Sequence, residues 1–537
     1  MSTRTDRDLS RAIQEWSAII GADHVITDRA ALGAAEAATF RTTAKIPLIV
    51  RPADRQQVQG CLRVANAKSV PVYPISTGRN WGYGSRVPAA DGSVLIDLGR
   101  MNRIVDFSED LAYVTVEPGV TQQQLFDFLR DNRSRLWMDA TGARSDASLI
   151  GNTMERGFGH TPYGDHFAHV CGFEVVLPDG ECIETGFSRF AQASTGPLYR
   201  WGLGPTLDGL FTQSNFGIVT RMSIWLMPAP EHFEAFFFRC DDDSGLGDLL
   251  DALRRLRLNG TLRSAAHIGN DYKVLNGIGQ YPWDLTAGMT PLTPEVMSGL
   301  RKKLRFGAWN GSGGLYGTRA QVREAKRLMR QELRGKVAKL EFLGDRKLEM
   351  ARRFAKPYGL VTGWDISEAL DLVRPVFSLL KGAPTDAPMA TTYWRKRTPP
   401  PADPDPDRDR CGLLWCAPVA PLEARHGERL TKISIDTLLA HGFEPMLSLS
   451  LVTDRALTCV VSICYDRDIP GEDDRALACY RELLDRLTAS GYHSYRLGIQ
   501  SSAEMADKDS YSSLLATIKR ALDPNGILAP GRYGIPT

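Results

Sequence analysis

A glycine-rich segment after the second of two apolar strands restricts how the N-terminal part of this chain can fold. The predicted strands are IPLIV and VPVYPIS, and the amphipathic segment DRQQVQGCLRVANAKS predicts a helix between them. The segment that follows is PISTGRNWGYGS, with glycines at positions 78, 82 and 84. Glycine lets a backbone approach a ligand closely, and its N–H groups can bind phosphate. The order predicts an α/β unit with a nucleotide site, although a plain turn also explains the glycines alone.

The rest of the chain divides into two regions that differ in their pattern of predicted strands and helices. Up to about Pro228 it continues as mixed strands and helices, and from about Glu231 it alternates strands with long charged helices such as RAQVREAKRLMRQEL. With 537 residues, at least two domains are expected. Residues 398–410, TPPPADPDPDRDR, are rich in proline and aspartate and predict an exposed loop or lid.

Composition narrows the class of partner. The 65 basic and 63 acidic side chains give a net charge of +2, which argues against nucleic acid or a membrane surface and favours a small molecule. The nine cysteines have no zinc-finger spacing, so free thiols are expected. The N-terminus lacks the apolar core of a secretory signal, and no apolar run is long enough for a membrane span. The default expectation is a cytoplasmic protein.

Five segments, the glycine-rich one and four that follow it in order, carry a resemblance to a known family. They are PISTGRNWGYG, GSVLIDLGRMNRI, IGNTMERGFGHTPYGDH, GLFTQSNFGIVT and DPNGILAPGRYGI. The series resembles the vanillyl-alcohol oxidase and p-cresol methylhydroxylase flavoproteins, on the p-cresol methylhydroxylase and eugenol hydroxylase branch. The resemblance implies an α+β, two-domain protein of the p-cresol methylhydroxylase type. Residues 1–230 and 491–537 would form the FAD-binding domain, and residues 231–490 an α+β substrate cap domain.

The resemblance also implies roles for individual residues toward FAD. Ser76, Thr77, Gly78, Arg79, Asn80 and Gly82 would hold the pyrophosphate, Ser148 and Asn152 would lie along the flavin, Ile218 and Val219 near the adenine, and Arg532 near the isoalloxazine ring. Tyr393 falls where one branch carries a tyrosine bonded covalently to FAD. A core tyrosine beside noncovalent FAD is the rival interpretation. Leu413 replaces the histidine that links FAD in the other branch, which excludes a histidyl link there.

Three residues match the family's phenol-binding group: Tyr83, and Tyr495 with Arg496 in HSYRLG. Two hydroxyl donors and a guanidinium can hold a phenol as phenolate, because charge-assisted hydrogen bonds are strong in a dry pocket. The resemblance then implies hydride transfer from the benzylic carbon to flavin N5 through a quinone methide. Without the resemblance, a packing tyrosine and a surface Tyr-Arg pair are the plainer explanations.

Two departures from the family bear on the substrate. Ala143 stands where the oxidase branch has an acid beside flavin N5, so only Asp146 could supply one. Met389 and Ser448 replace two glutamates of the cresol branch, which predicts a more apolar pocket and a para substituent larger than methyl. His160, His166 and His169 lack the spacing of a helical zinc site, so no metal is expected.

The resemblance implies a homodimer of flavoprotein chains and favours a c-type cytochrome over oxygen as electron acceptor. A cytochrome partner would also be compatible with a periplasmic location. Two alternatives stay open at this point. One is an oxidase of a non-phenolic alcohol or hydroxy acid on the same flavin fold, and the other is a noncatalytic flavin- or partner-binding protein.

Overall fold

The computed structural model describes residues 4–351, 353, 366–502 and 509–535. The strands are β1 (Val25–Ile26), β2 (Ile49–Val50), β3 (Val72–Ile75), β4 (Val94–Asp97), β5 (Ile104–Ser108), β6 (Tyr113–Val116), β7 (Leu136–Trp137), β8 (Val170–Val176), β9 (Cys182–Glu184), β10 (Ile218–Trp225), β11 (Met227–Pro228), β12 (His232–Cys240), β13 (Ala266–Asn270), β14 (Trp309–Gly317), β15 (Lys339–Leu343), β16 (Cys411–Cys416), β17 (Val419–Pro421), β18 (Met446–Leu451) and β19 (Ala456–Asp466).

The α-helices of the described residues alternate with these strands. They are α1 (Arg4–Ile20), α2 (Arg29–Ala35), α3 (Arg55–Lys68), α4 (Gln122–Asp131), α5 (Leu149–Met154), α6 (Leu246–Leu258), α7 (Asp271–Ile278), α8 (Trp283–Thr286), α9 (Pro294–Leu304), α10 (Arg319–Glu332), α11 (Ile366–Leu379), α12 (Ala387–Ala390), α13 (Ala424–Ala440), α14 (Glu472–Ala489) and α15 (Ser510–Leu522).

Two sheets make up most of the N-terminal part of the molecule. The first has the order β1-β2-β4-β3, in which β2, β4 and β3 run parallel, and the second is antiparallel with the order β5-β6-β10-β8-β9. Helix α3 packs here because Val58, Leu62 and Ala65 recur at helical spacing and are buried. The Asp54 side chain accepts a hydrogen bond from the Gln57 N–H and begins the helix. The predicted strand-helix-strand unit is therefore present.

The C-terminal segment returns to the first sheet. The Val72 N–H donates to the Ile527 carbonyl (2.8 Å) and the Ala529 N–H donates to the Val72 carbonyl (2.7 Å), which extends the sheet beside β3. Buried Lys519 holds this return in place through Asp523 (2.6 Å) and two backbone carbonyls. The end of the chain is thereby brought beside the glycine loop that follows β3.

An eight-stranded antiparallel sheet lies in the middle of the chain. Its order is β15-β12-β14-β13-β18-β19-β16, and β17 also pairs with β19. Helices α6, α13 and α14 cover one face and share with it the largest apolar core of the molecule. The other face carries polar side chains, which meet the N-terminal sheets across a cavity. The α+β class is confirmed, and the sheets separate near residue 230, while the exact domain boundaries stay a prediction.

The loop at residues 398–410 is only partly as predicted. Its first half is exposed and has no regular structure, but its second half packs on the glycine loop. Ser85 Oγ donates to Asp407 (2.7 Å), and Arg79 pairs with Asp405 (3.3 Å). The composition indicated solvent exposure, and the aspartates instead find cationic and hydroxyl partners far away in sequence. In the described part of the chain, no helix is long and apolar enough to cross a membrane, and all nine cysteines are free thiols.

Candidate active site

A cavity of about 630 Å³ lies between the N-terminal sheets and the polar face of the eight-stranded sheet. Its volume is that of a site for a sizeable ligand. One wall comes from the loop after β3, from α5 and from the start of β10, and the opposite wall comes from α7, α12 and strands β13, β16, β18 and β19. Most of the predicted cofactor and substrate residues lie on these walls.

The loop after β3 forms the wall where pyrophosphate binding is predicted. Ser76, Thr77, Gly78, Arg79 and Asn80 all line the cavity. Gly78 has φ +70°, and a Cβ there would lie 2.5 Å from the Arg86 side chain, so this position requires glycine. Gly82 is different, because it does not line the cavity and its N–H donates to Thr39 Oγ1 (3.0 Å). Its φ of +74° shapes the loop behind the wall.

Helix α5 and strand β10 carry the next predicted cofactor residues. Ser148 and Asn152 line the cavity at α5, and Ile218 and Val219 line it at the start of β10. Ser148 begins the helix by accepting from the Gly151 N–H (2.9 Å), and its own N–H donates to Thr77 Oγ1 (3.1 Å). A Cβ on Gly151 would lie 2.3 Å from Ser76 Oγ, so glycine permits helix and loop to meet. The result is a narrow polar groove with an apolar end.

Arg532 closes this wall from the C-terminal segment. Its guanidinium is buried, lines the cavity and pairs with Glu155 (2.5 Å). Among the described residues, its Nη1 has no hydrogen-bond partner. A buried guanidinium N–H without an acceptor is costly, and an electron-rich ring or carbonyl in the cavity would satisfy it. This placement fits the predicted role beside an isoalloxazine ring.

Tyr83, Tyr495 and Arg496 are brought together on the cavity wall, although more than 400 positions separate the first from the others. The Arg496 guanidinium lies 4.3 Å from the centre of the Tyr83 ring. The Ile499 N–H donates to the Tyr83 carbonyl (3.0 Å), and the Tyr495 N–H donates to the Ala417 carbonyl (3.1 Å). These backbone hydrogen bonds hold the segment that carries Tyr495 and Arg496 beside Tyr83.

The environment sets the protonation states of these three groups. Burial raises the pKa of Tyr83 well above its ordinary value, and burial also raises that of Tyr495 despite the opposing charge of Arg496. Burial alone would lower the pKa of Arg496, but the Glu155 carboxylate raises it. The cavity wall therefore presents two neutral hydroxyl donors and one permanent cation.

Glu155 is a site residue that the sequence analysis missed. It is held by Arg532, by Arg496 (3.3 Å) and by the Tyr533 hydroxyl (2.6 Å). Burial would raise its pKa, but the two arginines lower it below the ordinary value, so it is ionised. It fixes both guanidinium groups and offsets one of their two charges. Its position beside Asn152 was a weak signal, because both arginines are far away in sequence.

Two histidines at the cavity, His160 and His267, are neutral polar groups. The rings of His160 and His267 lie 4.3 Å apart at the cavity, and burial lowers the pKa of His160 and lowers that of His267 to about 3. His160 Nδ1 lies 3.1 Å from the Ala140 carbonyl, which can only accept, so Nδ1 carries the proton and Nε2 is an acceptor. His166 instead pairs with Asp139 (2.6 Å). Within the described ranges, no cluster suited to a metal ion occurs.

Tyr393 does not reach the cavity. It is buried, its hydroxyl donates to Asp409 (2.5 Å), and its neighbours Thr391 and Thr392 line the cavity in its place. This placement does not support the predicted tyrosyl link to FAD. The inserted loop at residues 398–410, which supplies Asp409, explains why a motif match could not fix the orientation.

The departures from the family pattern are visible in the cavity walls. Ala143, Met389 and Ser448 line the cavity, as does Trp415. Asp146 does not move in as an acid, because Arg79 binds it (2.7 Å) away from the lining. The wall near the predicted substituent therefore lacks the two family carboxylates and is formed by thioether, hydroxyl and indole groups.

Comparison with known proteins agrees with this geometry. A profile described as "FAD binding domain" matches residues 46–186. The "4-cresol dehydrogenase [hydroxylating] flavoprotein subunit" of Pseudomonas putida is 32% identical over 99% of this chain and 96% of its own length. The chain belongs to the p-cresol methylhydroxylase family of FAD-dependent oxidoreductases. FAD is its cofactor, as predicted from the resemblance, and the residues along the loop, α5 and β10 fit that group.

Two other proteins that are similar to this chain have names that state different reactions. The "1'-carboxy-chondrochloren decarboxylase" of Chondromyces crocatus is 47% identical over 98% of this chain and 97% of its own length. The solved structure of "4-ethylphenol oxidase from Gulosibacter chungangensis" in an isoeugenol complex is 29% identical, covers 99% of this chain and 98% of its own, and has a TM-score of 0.89. Family membership therefore leaves the particular reaction open.

Proposed function

We propose that this chain oxidises the benzylic carbon of a para-substituted phenol. The observation that carries the proposal is the grouping of Tyr83, Tyr495 and Arg496 on one wall of the cavity. A phenol with a pKa near ~10 costs about 4 kcal/mol to hold as phenolate at neutral pH. Hydrogen bonds to a charged group contribute roughly 1.5–3 kcal/mol each, so three such donors can offset that cost.

The chemistry follows from holding the oxygen as an anion. FAD, when bound, supplies the two-electron acceptor for the benzylic hydride. The phenolate oxygen, held by its three donors, releases electron density into the ring and so favours loss of that hydride. The substrate is left as a quinone methide, which water can attack at the benzylic carbon. His160 Nε2 is an acceptor at the cavity and can take the proton of that water.

A second outcome is supported by the name of the 47% identical relative, a decarboxylase. If the side chain carries a carboxylate on the carbon next to the benzylic one, the quinone methide can lose CO₂. The electron pair of the broken C–C bond forms the new double bond of the side chain, the pair of the exocyclic double bond returns to the ring, and the product leaves as a para-alkenyl phenol. Hydride loss and CO₂ loss balance without any further oxidant. Product analysis separates the outcomes, because hydration adds oxygen and decarboxylation removes carbon.

The proposal extends to how FAD is held and reoxidised. We expect noncovalent FAD, because the Tyr393 hydroxyl is bound to Asp409 and faces away from the cavity. The name of the P. putida relative, a flavoprotein subunit, supports a c-type cytochrome as acceptor, and the 4-ethylphenol oxidase supports oxygen. Stopped-flow reoxidation of the reduced protein with each acceptor decides between them, and a homodimer stays a prediction for sedimentation analysis.

The test is anaerobic addition of 4-propylphenol to the purified yellow protein. We expect the flavin absorbance to bleach at a rate that depends on phenol concentration. A hydroxy acid such as D-lactate, added in parallel, represents the non-phenolic alternative and should leave the flavin oxidised. Bleaching by the hydroxy acid but by no para-substituted phenol would refute the proposal, and no bleaching with either would favour a noncatalytic flavoprotein.

A further inference from the structure

Lys273 is a cation on the cavity wall with no anionic partner among the described residues. It lies in the first turn of α7, and within the described ranges its Nζ makes a single hydrogen bond, a long one to Asn276 (3.4 Å). Two buried lysines of this protein are ion-paired, Lys519 with Asp523 (2.6 Å) and Lys396 with Asp466 (2.8 Å). Burial lowers the pKa of Lys273, because a charged ammonium is disfavoured away from water.

The lysine is held over the polar face of the eight-stranded sheet. A Cβ on Gly269 would lie 3.3 Å from the Lys273 Cγ, so the stem of the lysine crosses the strand where β13 has no side chain. Gly269 pairs with Ser448 on β18, which in turn pairs with Val460 on β19, and both of these line the cavity. Lys273 and the Ser448 hydroxyl therefore share one face and one row of the sheet.

The same face connects this row to the proposed phenol site. Trp415 on β16 pairs with Ser462 of β19, two residues along from Val460, and the Trp415 ring lies 5.6 Å from the ring of Tyr83. The backbones of β13 and β16 are three strand spacings apart, about 14 Å in a flat sheet. Lys273 at one end and Trp415 at the other line this part of the cavity, and we infer that a phenol with an extended para substituent fits between them.

We propose that Lys273, with Ser448 beside it, binds a carboxylate on the para side chain of the phenolic substrate. This inference rests on the proposed function and names the substrate class, a 4-hydroxyphenyl alkanoate or a related acid. A buried ammonium is costly alone, and a bound carboxylate would compensate it with a charge-assisted hydrogen bond. The cavity's own acids do not do so: Glu155 is held by two arginines, and Asp371 is not within ion-pair distance of Lys273 in the described structure.

The experiment compares an acid with neutral analogues. Anaerobic, dithionite-reduced holoprotein is titrated by calorimetry with 3-(4-hydroxyphenyl)propanoate, with its amide and with 4-propylphenol, because the reduced flavin cannot turn them over. We expect wild type to bind the acid at least tenfold more tightly than the amide. Lys273→Met should abolish that preference and leave 4-propylphenol binding unchanged, whereas Lys273→Arg should retain part of it. Exposed Lys302 provides the matched control, Lys302→Met, which should behave as wild type.

The outcomes separate the inference from the proposed function. If wild type does not prefer the acid, or if Lys273→Met weakens the acid and 4-propylphenol equally, the carboxylate subsite is refuted while reduction of the flavin by 4-propylphenol still supports the phenol proposal. If no phenol reduces the flavin, the proposed function fails and the inference fails with it. Loss of an unpaired buried charge should not lower the melting temperature, so Lys273→Met is expected to fold.

Discussion

Replacing Tyr83 with phenylalanine removes one proposed donor to the substrate oxygen, together with the hydrogen bond between the Tyr83 and Tyr495 hydroxyls, and keeps the ring. The Tyr83 ring packs edge-on against Trp415 (5.6 Å between ring centres) and under the Arg496 guanidinium (4.3 Å), and phenylalanine keeps both contacts. The hydroxyl is buried, and its raised pKa keeps the proton on the oxygen, so in the native protein it can only donate to a phenolate. The variant should therefore fold and bind FAD normally.

The lost interaction is a hydrogen bond to an anion, worth about 1.5–3 kcal/mol. Since each 1.36 kcal/mol is a factor of ten, flavin reduction by 4-propylphenol should slow by about 10- to 150-fold at low phenol concentration. Anaerobic stopped-flow spectroscopy gives this rate, and the visible spectrum gives the FAD content per chain. Tyr272→Phe is the matched control, because Tyr272 is half-buried but does not line the cavity. An unchanged rate in Tyr83→Phe, or an equal loss of FAD, would refute the assignment.

Three further predictions concern the cofactor and the loops around it. Gly78→Ala should lower the free energy of unfolding by about 1–2 kcal/mol and reduce the FAD content, because φ is +70° there. Normal FAD content would contradict the predicted role of this loop in FAD binding. Tyr393→Phe should retain FAD that is released by acid, and peptide mass mapping of wild type should find no FAD on the Tyr393 peptide; FAD mass there would contradict the structure. Burial raises the pKa of Asp407 to about 7. The native state thus binds a proton that the unfolded chain releases, and stability falls as pH rises between about 4 and 7. Asp407→Asn should reduce this pH-dependent loss of stability by up to about 4 kcal/mol, measured by melting temperature against pH. An unchanged profile would exclude Asp407 as its source.

The sequence predicted those parts of the fold whose causes are local. Helix α3 follows from its capping residue and from the helical spacing of its apolar residues, both of which lie within a few positions. The resemblance supplied the residues of the loop at 76–80 and the group of Tyr83, Tyr495 and Arg496, since motif order places whole segments together.

What the sequence could not predict depends on partners that are distant along the chain. The role of Glu155 depends on Arg496 and Arg532, and the unusual feature of Lys273 is that no acid among the described residues pairs with it. Gly82 and Tyr393 lie in segments that the resemblance assigned to FAD, but their polar groups face Thr39 and Asp409 and not the cavity. Side-chain direction within a loop is set by tertiary contacts, which a motif does not encode.

The central claim is that this cavity binds its phenol as the phenolate. A phenol without a benzylic hydrogen, such as 4-bromophenol, can be titrated into the oxidised protein at neutral pH without turnover. Ultraviolet difference spectroscopy reports the ionisation of the bound ligand directly. We predict a phenolate band on binding to wild type that is lost in the Tyr83→Phe, Tyr495→Phe double variant. A bound ligand with the spectrum of the neutral phenol would contradict the account.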